Sequence, residues 1–180
     1  MQFHLNGFRP GDPTITPAAG APQTERLPSS VDVLIVGSGP AGLTLAAQLS
    51  AFPDIVTRIV EAKSGPMEKG QADGVSCRSM EMFEAFGFAH MVMREAFWVN
   101  ETTFWKTDLD NADKIVRTGR IQDVEDGLSE MPHVILNQAR VHDMYLEVMQ
   151  RSAHRLVPDY DRRLDRLDFA ETGISPVTAT

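Results

Sequence analysis

The stretch that decides the fold runs from Asp32 to Leu49: Asp32-Val33-Leu34-Ile35-Val36-Gly37-Ser38-Gly39-Pro40-Ala41-Gly42-Leu43-Thr44-Leu45-Ala46-Ala47-Gln48-Leu49. Residues 33–36 form a short, unbroken apolar run, which predicts a strand buried on both faces of a parallel sheet. A glycine-rich turn, Gly37 to Gly42, follows at once. Helix formers and small residues then continue to Leu49, and a turn is expected around Pro53. Arg58-Ile59-Val60-Glu61 reads as a second strand. Strand, helix and strand within about thirty residues make a βαβ unit, whose crossover is nearly always right-handed.

The turn has the spacing G-x-G-x-x-G, and its position between a strand and a helix is what its chemistry requires. Gly37 permits the tight turn, Gly39 lets a pyrophosphate approach the backbone, and Gly42 lets the helix pack closely on the strand. The helix start then aims free N–H groups and the positive end of its dipole at the phosphates. Pro40 suits that first turn, because the N–H it lacks would have been unpaired. Glu61 lies nineteen residues beyond Gly42. A carboxylate there accepts hydrogen bonds from an adenosine ribose and repels a 2′-phosphate, so the unit should hold FAD or NAD rather than NADP. The unit alone does not decide between FAD and NAD. The loop Gly70-Gln71-Ala72-Asp73-Gly74-Val75 bears on it, since two glycines let backbone approach a flat ligand. A nicotinamide dehydrogenase would more often continue into another βαβ repeat.

Outward from this unit, residues 1–30 read as a flexible arm. Pro10, Pro13, Pro17, Pro22 and Pro28 break any helix or central strand, and Phe3, Leu5 and Phe8 could dock its tip. Residues 31–97 are expected to form the FAD-binding region, including a helix over 78–86 with Met82, Phe83 and Phe86 near one face and Gly87 as its stop. Residues 98–132 should hold strands (98–106 and 114–121) that begin a β-rich substrate domain, followed by an acidic loop. Residues 133–180 should return to the first domain through a strand at His133–Asn137, a helix over 140–151 and weaker strand signals. A strand beginning at Pro176 would have no neighbours, so the chain is expected to be truncated. The fold class is α/β: a Rossmann-like FAD-binding domain of the glutathione-reductase type with the start of a substrate domain.

Composition bounds the function. The 180 residues are 42% hydrophobic and 23% charged, as in a globular domain. A net charge of −8 argues against nucleic acid, which needs a basic face, and against an anionic membrane. The single cysteine, Cys77, allows no internal disulfide and points to the cytoplasm. His4, His90, His142 and His154 lack metal-ligand spacing, so no metal site is expected.

The residues 32–43, the Gln-Ala-Asp-Gly segment at 71–74, Cys77-Arg78-Ser79-Met80-Glu81 and His133-Val134-Ile135-Leu136-Asn137-Gln138-Ala139-Arg140 resemble the phenol hydroxylase branch of FAD-dependent aromatic monooxygenases. The resemblance spans essentially the whole chain. It implies bound FAD, NADPH as co-substrate, and insertion of an oxygen atom from O2 into a small phenolic acid such as 3-hydroxybenzoate. Phenol itself is the alternative substrate. It also implies a homodimeric parent whose remaining parts lie beyond Thr180, without which this chain is expected to be inactive. By resemblance, Ala41 and Gly42 touch the pyrophosphate and Glu61 the ribose. Lys63 and Gly70, Gln71, Ala72, Asp73, Gly74 and Val75 contact the flavin half, and Gln138 approaches FAD from the other side. Asp73 matches an active-site aspartate that helps remove the phenol proton, the alternative being a brace for its loop. His133 matches a substrate-pocket residue that donates to a carboxylate or phenol oxygen; taken alone, a histidine opening an apolar strand reads as core. Arg78 either pairs with a flavin phosphate or caps its helix. Two rivals remain: a non-catalytic dinucleotide-binding module and an NAD-dependent dehydrogenase.

Overall fold

The computed structural model describes residues 15–18, 23, 26–173 and 176–180. Along the chain these form β1 (Val33–Val36), α1 (Pro40–Leu49), β2 (Thr57–Val60), β3 (Gly74–Val75), α2 (Cys77–Ala85), α3 (Ala89–Glu95), β4 (Phe97–Val99), β5 (Glu101–Thr107), β6 (Ile115–Gln122), β7 (His133–Ile135), α4 (Gln138–Arg151), β8 (Leu167–Phe169) and β9 (Val177–Ala179). Internal contacts divide the chain into two compact units, Met1–Glu68 with His142–Thr180, and Lys69–Val141. These boundaries differ from the segment ends expected at 97/98 and 132/133, because β3, β4 and β7 share one sheet.

In the first unit β1 and β2 pair in parallel, with Val33 opposite Thr57 and Val36 opposite Val60. The βαβ reading therefore holds. The sheet is continued beside β2 by residues 159–162: Val60 bridges Asp159 in parallel, Glu61 donates its N–H to the Asp159 carbonyl, and Arg162 donates to that of Glu61. Arg58 fixes this addition with a bidentate pair to Asp159, at 2.8 Å and 2.5 Å, both side chains nearly buried. Leu43, Ala46 and Ala47 of α1 and Met144, Tyr145 and Met149 of α4 supply much of the core. The Thr44 hydroxyl joins the two helices through a 2.7 Å bond to the Tyr145 hydroxyl. Burial pushes that phenol's pKa up, partly offset by the bond to Thr44.

Two expectations for this unit need correction. Residues 33–36 are not buried on both faces: Ile35 is covered, but Leu34 and Val36 are 36% and 50% exposed. Among the described residues β1 has only one strand neighbour. The strand at the chain's end does have a partner, since β9 pairs antiparallel with β8. Of the expected arm, Phe3, Leu5 and Phe8 lie outside the described residues. The described part is tied down: the Gln23 side-chain amide donates to the Val157 carbonyl and accepts from the Val157 N–H, and Thr16 donates to the Arg151 carbonyl.

In the second unit β7 is central, antiparallel to both β3 and β4, while β5 and β6 form a separate antiparallel hairpin. The single strand expected over 98–106 is thus two strands in different sheets. α2 begins at Ser76, whose hydroxyl accepts from the Ser79 N–H, a side-chain cap for its first turn. It ends in a left-handed Gly87 (φ +80°), with Gly87 donating to the Glu84 carbonyl and Phe88 to that of Phe83. That double closure satisfies carbonyls the helix end would leave unpaired. Its buried face is Met80 and Phe83, with Met82 and Phe86 only half covered. Phe83 stacks on Phe88 at 4.7 Å between ring centres, and Ala89 and Val92 of α3 complete the packing. The sequence pattern had not marked α3 as a helix.

Candidate functional site

The glycine turn in the first unit has the geometry its sequence requires. Gly37 has φ +96°, a backbone state that L side chains rarely adopt. A Cβ added to Gly42 would lie 2.0 Å from the Gly37 carbonyl oxygen and 3.3 Å from Ile35 Cγ2, so only glycine lets α1 sit this close to β1. At Gly39, by contrast, an added Cβ would meet nothing within 4 Å. Open space therefore lies over the start of α1, where no side chain caps the helix and Pro40 occupies the first turn. Backbone N–H groups facing open space at a helix start make an anion site.

Glu61 follows β2 directly and reaches back to this turn. Its Oε2 accepts from the Ser38 N–H at 2.8 Å and the Ser38 hydroxyl at 2.9 Å, and its Oε1 accepts from the Lys63 N–H at 2.9 Å. Partial burial raises its pKa, but these bonds and the nearby Lys63 charge outweigh it and hold the carboxyl below the ordinary value. A carboxylate has about four lone-pair sites, so with three of them filled one remains for a ribose hydroxyl. Glu61 thus braces the glycine turn, a role its spacing had not revealed. Close by in charge, His142 is 3% exposed with neither ring nitrogen hydrogen-bonded, and the Tyr160 hydroxyl is likewise buried and unpartnered. Burial lowers the His142 pKa and raises that of Tyr160, and both feel Glu61 and Asp143.

The second unit gathers the remaining candidates: Gly70, Gln71, Ala72, Asp73, Gly74, Val75, His133 and Gln138. The loop is stitched onto the segment between β7 and α4. Leu136 donates to the Asp73 carbonyl at 2.7 Å, Gln138 donates to the Ala72 carbonyl at 3.2 Å, and the Gln138 Oε1 accepts from the Gln71 N–H at 2.9 Å. A Cβ on Gly70 would lie 2.6 Å from Gln138 Cβ and 2.9 Å from Gln138 N, so this glycine is required by close approach. Asn137 caps α4, its Oδ1 accepting from the Ala139 N–H at 2.9 Å. The Asp73 side chain is exposed. β3 pairs with β7 so that Asp73 lies across from Leu136, three residues along from His133, and a Cβ on Gly74 would stand 3.5 Å from His133 Nε2. The other ring nitrogen, Nδ1, lies 2.6 Å from Asp123 Oδ2.

Asp123 is the residue sequence reasoning missed. It stands in a stretch read only as an acidic loop, ten residues before the histidine it contacts. Arg78 is 90% exposed at its side chain and pairs with Glu81 one turn along. A hollow of about 800 Å³ between the β5–β6 hairpin and the following loop is lined by Glu125, Asp126 and Glu130 and by the Arg120–Glu101 pair, and holds none of the expected site residues. Among the described residues no cluster of metal-ligating side chains occurs, and no helix is long and apolar enough to cross a membrane.

With the glycine turn, the open helix start and the bracing glutamate in place, the residues present fit the dinucleotide half of FAD. Residues 30–164 match the FAD binding domain family. The chain belongs to that family. Within it the relatives are flavin monooxygenases. The chain is 68% identical over 184 residues to 3-hydroxybenzoate 4-monooxygenase from Comamonas testosteroni, an alignment covering 100% of this chain and 29% of that protein. It is 42% identical over 144 residues to the FAD-dependent monooxygenase terD of Aspergillus terreus, covering 79% of this chain and 23% of the relative. Among solved structures, the flavin-dependent monooxygenase PieE in complex with FAD and substrate superposes with a TM-score of 0.65 at 25% identity, over 85% of this chain and 27% of that one. A ternary complex of aklavinone-11 hydroxylase shares the fold at a TM-score of 0.62 and 21% identity, over 86% and 30%. The chain therefore spans less than a third of the length of these relatives. The α/β class and the family expected from the sequence are borne out.

Proposed function

We propose that this chain is the FAD-binding part of a longer monooxygenase that converts 3-hydroxybenzoate to 3,4-dihydroxybenzoate, using NADPH and O2. The observation that carries this reading is the likeness to the Comamonas testosteroni 3-hydroxybenzoate enzyme along the entire chain, through both the glycine turn and the Asp73–His133 region. Bound FAD supplies the hard chemistry, accepting reducing equivalents and activating oxygen, while the protein supplies position, charge and exclusion of water.

The chain's own residues divide the work. The backbone of Ala41 and Gly42 holds the pyrophosphate, with Gly37 and Gly39 giving the turn its shape and its open approach. Glu61 binds the ribose, with Lys63 beside it. In the second unit, residues Gly70 to Val75 and Gln138 contact the flavin half. Asp73 accepts the phenol proton, which raises electron density on the ring when an electrophilic oxygen is delivered. His133 donates to the substrate carboxylate. The reading also carries a homodimeric parent in the cytoplasm.

The test is made on the full-length protein. Its flavin absorbance after purification, NADPH oxidation with 3-hydroxybenzoate or phenol, and the hydroxylated product are measured. FAD retention with 3,4-dihydroxybenzoate formation is expected. Catechol formation from phenol in preference would shift the reading to a phenol hydroxylase, which the 33% identity over 112 residues to the phenol 2-monooxygenase fsqG of Aspergillus fumigatus would then support. FAD retention without NADPH oxidation stimulated by any phenol would leave a non-catalytic module.

A further inference from the structure

We propose that Asp123, itself held by Thr102, is a positioning residue that aims His133 at the substrate carboxylate; the proposal rests on the function proposed above. Asp123 follows β6 directly, and its N–H donates to the Asn100 carbonyl at 3.1 Å, which fixes its backbone between the hairpin and β4. Its two carboxylate oxygens are both engaged. Oδ1 accepts from the Thr102 hydroxyl on β5 at 3.4 Å, and Oδ2 lies 2.6 Å from His133 Nδ1 at the start of β7. The pair is largely shielded, with the two side chains 17% and 31% exposed.

An ionised carboxylate only accepts hydrogen bonds, so the contact assigns the proton on Nδ1 and leaves Nε2 as the outward nitrogen. Nε2 is the atom facing Gly74. A glycine there leaves that nitrogen uncovered beside the residue that follows Asp73. A proton on Nε2 would make it a charge-assisted donor, its direction set by the bond behind it. A substrate carboxylate on the Nε2 side then completes a carboxylate–imidazolium–carboxylate line. Without Asp123 the ring is free to turn about its side-chain bonds, and the donor loses its aim. This is the logic by which outer carboxylates orient histidines elsewhere.

The experiment uses the complete FAD-loaded enzyme and the variants Asp123→Asn, His133→Ala and the double mutant, each assayed on 3-hydroxybenzoate and on phenol. Asp123→Asn keeps the shape and removes the charge. The KM for 3-hydroxybenzoate is expected to rise about tenfold, the usual loss for a hydrogen bond to a charged group, while that for phenol moves less than about twofold. In the His133→Ala background, Asp123→Asn should add less than about twofold, because a residue acting through another has nothing left to act on. Thr102→Val should raise the KM for 3-hydroxybenzoate in the same direction by a smaller factor. Equal KM changes for both substrates, or an undiminished effect in the His133→Ala background, would overturn the proposal. So would loss of FAD or of folding in Asp123→Asn when His133→Ala keeps both. A wild-type enzyme that does not turn over 3-hydroxybenzoate would overturn the proposed function and this inference with it. Turnover with an unchanged KM in Asp123→Asn would overturn this inference alone.

Discussion

Replacing Gly42 with alanine places a Cβ 2.0 Å from the Gly37 carbonyl oxygen, 3.2 Å from its carbon and 3.3 Å from Ile35 Cγ2. None of these neighbours is the loose end of a flexible side chain, so α1 must draw back from β1. Overpacking of this kind costs about 1–3 kcal/mol. The better helix propensity of alanine returns at most about 1 kcal/mol. The two together leave a net loss of roughly 0–3 kcal/mol, whose middle is a sizeable part of the stability of an ordinary domain. Gly39→Ala provides the contrast within the same turn. Gly39 has φ −70°, which alanine adopts without strain, and the added Cβ meets nothing within 4 Å. In the apoprotein that change should be neutral or stabilising by up to about 1 kcal/mol, through the unfolded state. In the open space over the helix start, however, the same methyl group would stand where the pyrophosphate approaches. Loss of one or more hydrogen bonds to a charged group should weaken FAD by about ten- to a hundredfold. The assay is denaturant unfolding of the apoprotein together with FAD titration followed by flavin absorbance, for both variants of the full-length protein. Wild-type FAD affinity in Gly39→Ala, or wild-type stability in Gly42→Ala, would refute the reasoning about what the two glycines are for.

Arg58→Met breaks the nearly buried pair with Asp159 and strands the carboxylate, so urea unfolding should show a loss of about 3–5 kcal/mol, largely recovered in Arg58→Met/Asp159→Leu. The Glu61 carboxyl binds its proton less tightly when folded, so its contribution is complete above pH 4.5 and is lost as pH falls through the lower folded value; acid unfolding of Glu61→Gln should be flatter in that window. His142 is buried with both ring nitrogens unpartnered and its pKa lowered by burial, so the unfolded chain takes up its proton more readily and stability should fall as pH drops below 6.5. His142→Leu should raise the melting temperature and remove that slope; an unchanged slope would mean that another group titrates.

The parts of the fold legible in the sequence are those fixed by the main chain itself. A strand feeding a glycine turn and a helix is specified by local torsions and by the unpaired N–H groups at a helix start, so β1, α1 and β2 came out within a residue or two. The exposed Leu34 and Val36 were misread because an apolar run reports that a strand is meant to be covered, not which neighbours are present. The helix α3 escaped notice because Phe88, Met91, Val92 and Met93 run too densely to show a period, although only Phe88, Ala89 and Val92 are buried. The break at Asn100 escaped for a different reason. Its two flanks, β4 and β5, have the same strand character and differ only in their partners, β7 and β6.

The site divides along the same line. Glu61 could be found because its place at the end of β2 is a fixed spacing from the turn, whereas Asp123 and His133 meet only through the pairing of distant strands. The two segments most specific to the family, Gln-Ala-Asp-Gly at 71–74 and Asn-Gln-Ala-Arg at 137–140, turn out to depend on each other physically. Gly70 has no room for a side chain because Gln138 and Asn137 press against it. The Gln71 N–H is satisfied by the Gln138 side chain, and the Ala72 carbonyl by the Gln138 backbone. Asn137 meanwhile caps the helix that Gln138 begins, and Arg140 one turn on pairs with Glu95 at 2.7 Å. Loss of the Gln138 side chain removes the acceptor of the Gln71 N–H, at an exposed position where water can replace it, so what is lost is chiefly the hold on the loop. The loop that carries Asp73 is therefore held in place by the helix start that carries Gln138. A substitution of Gln138 that weakens FAD binding has first to be tested for having released the loop.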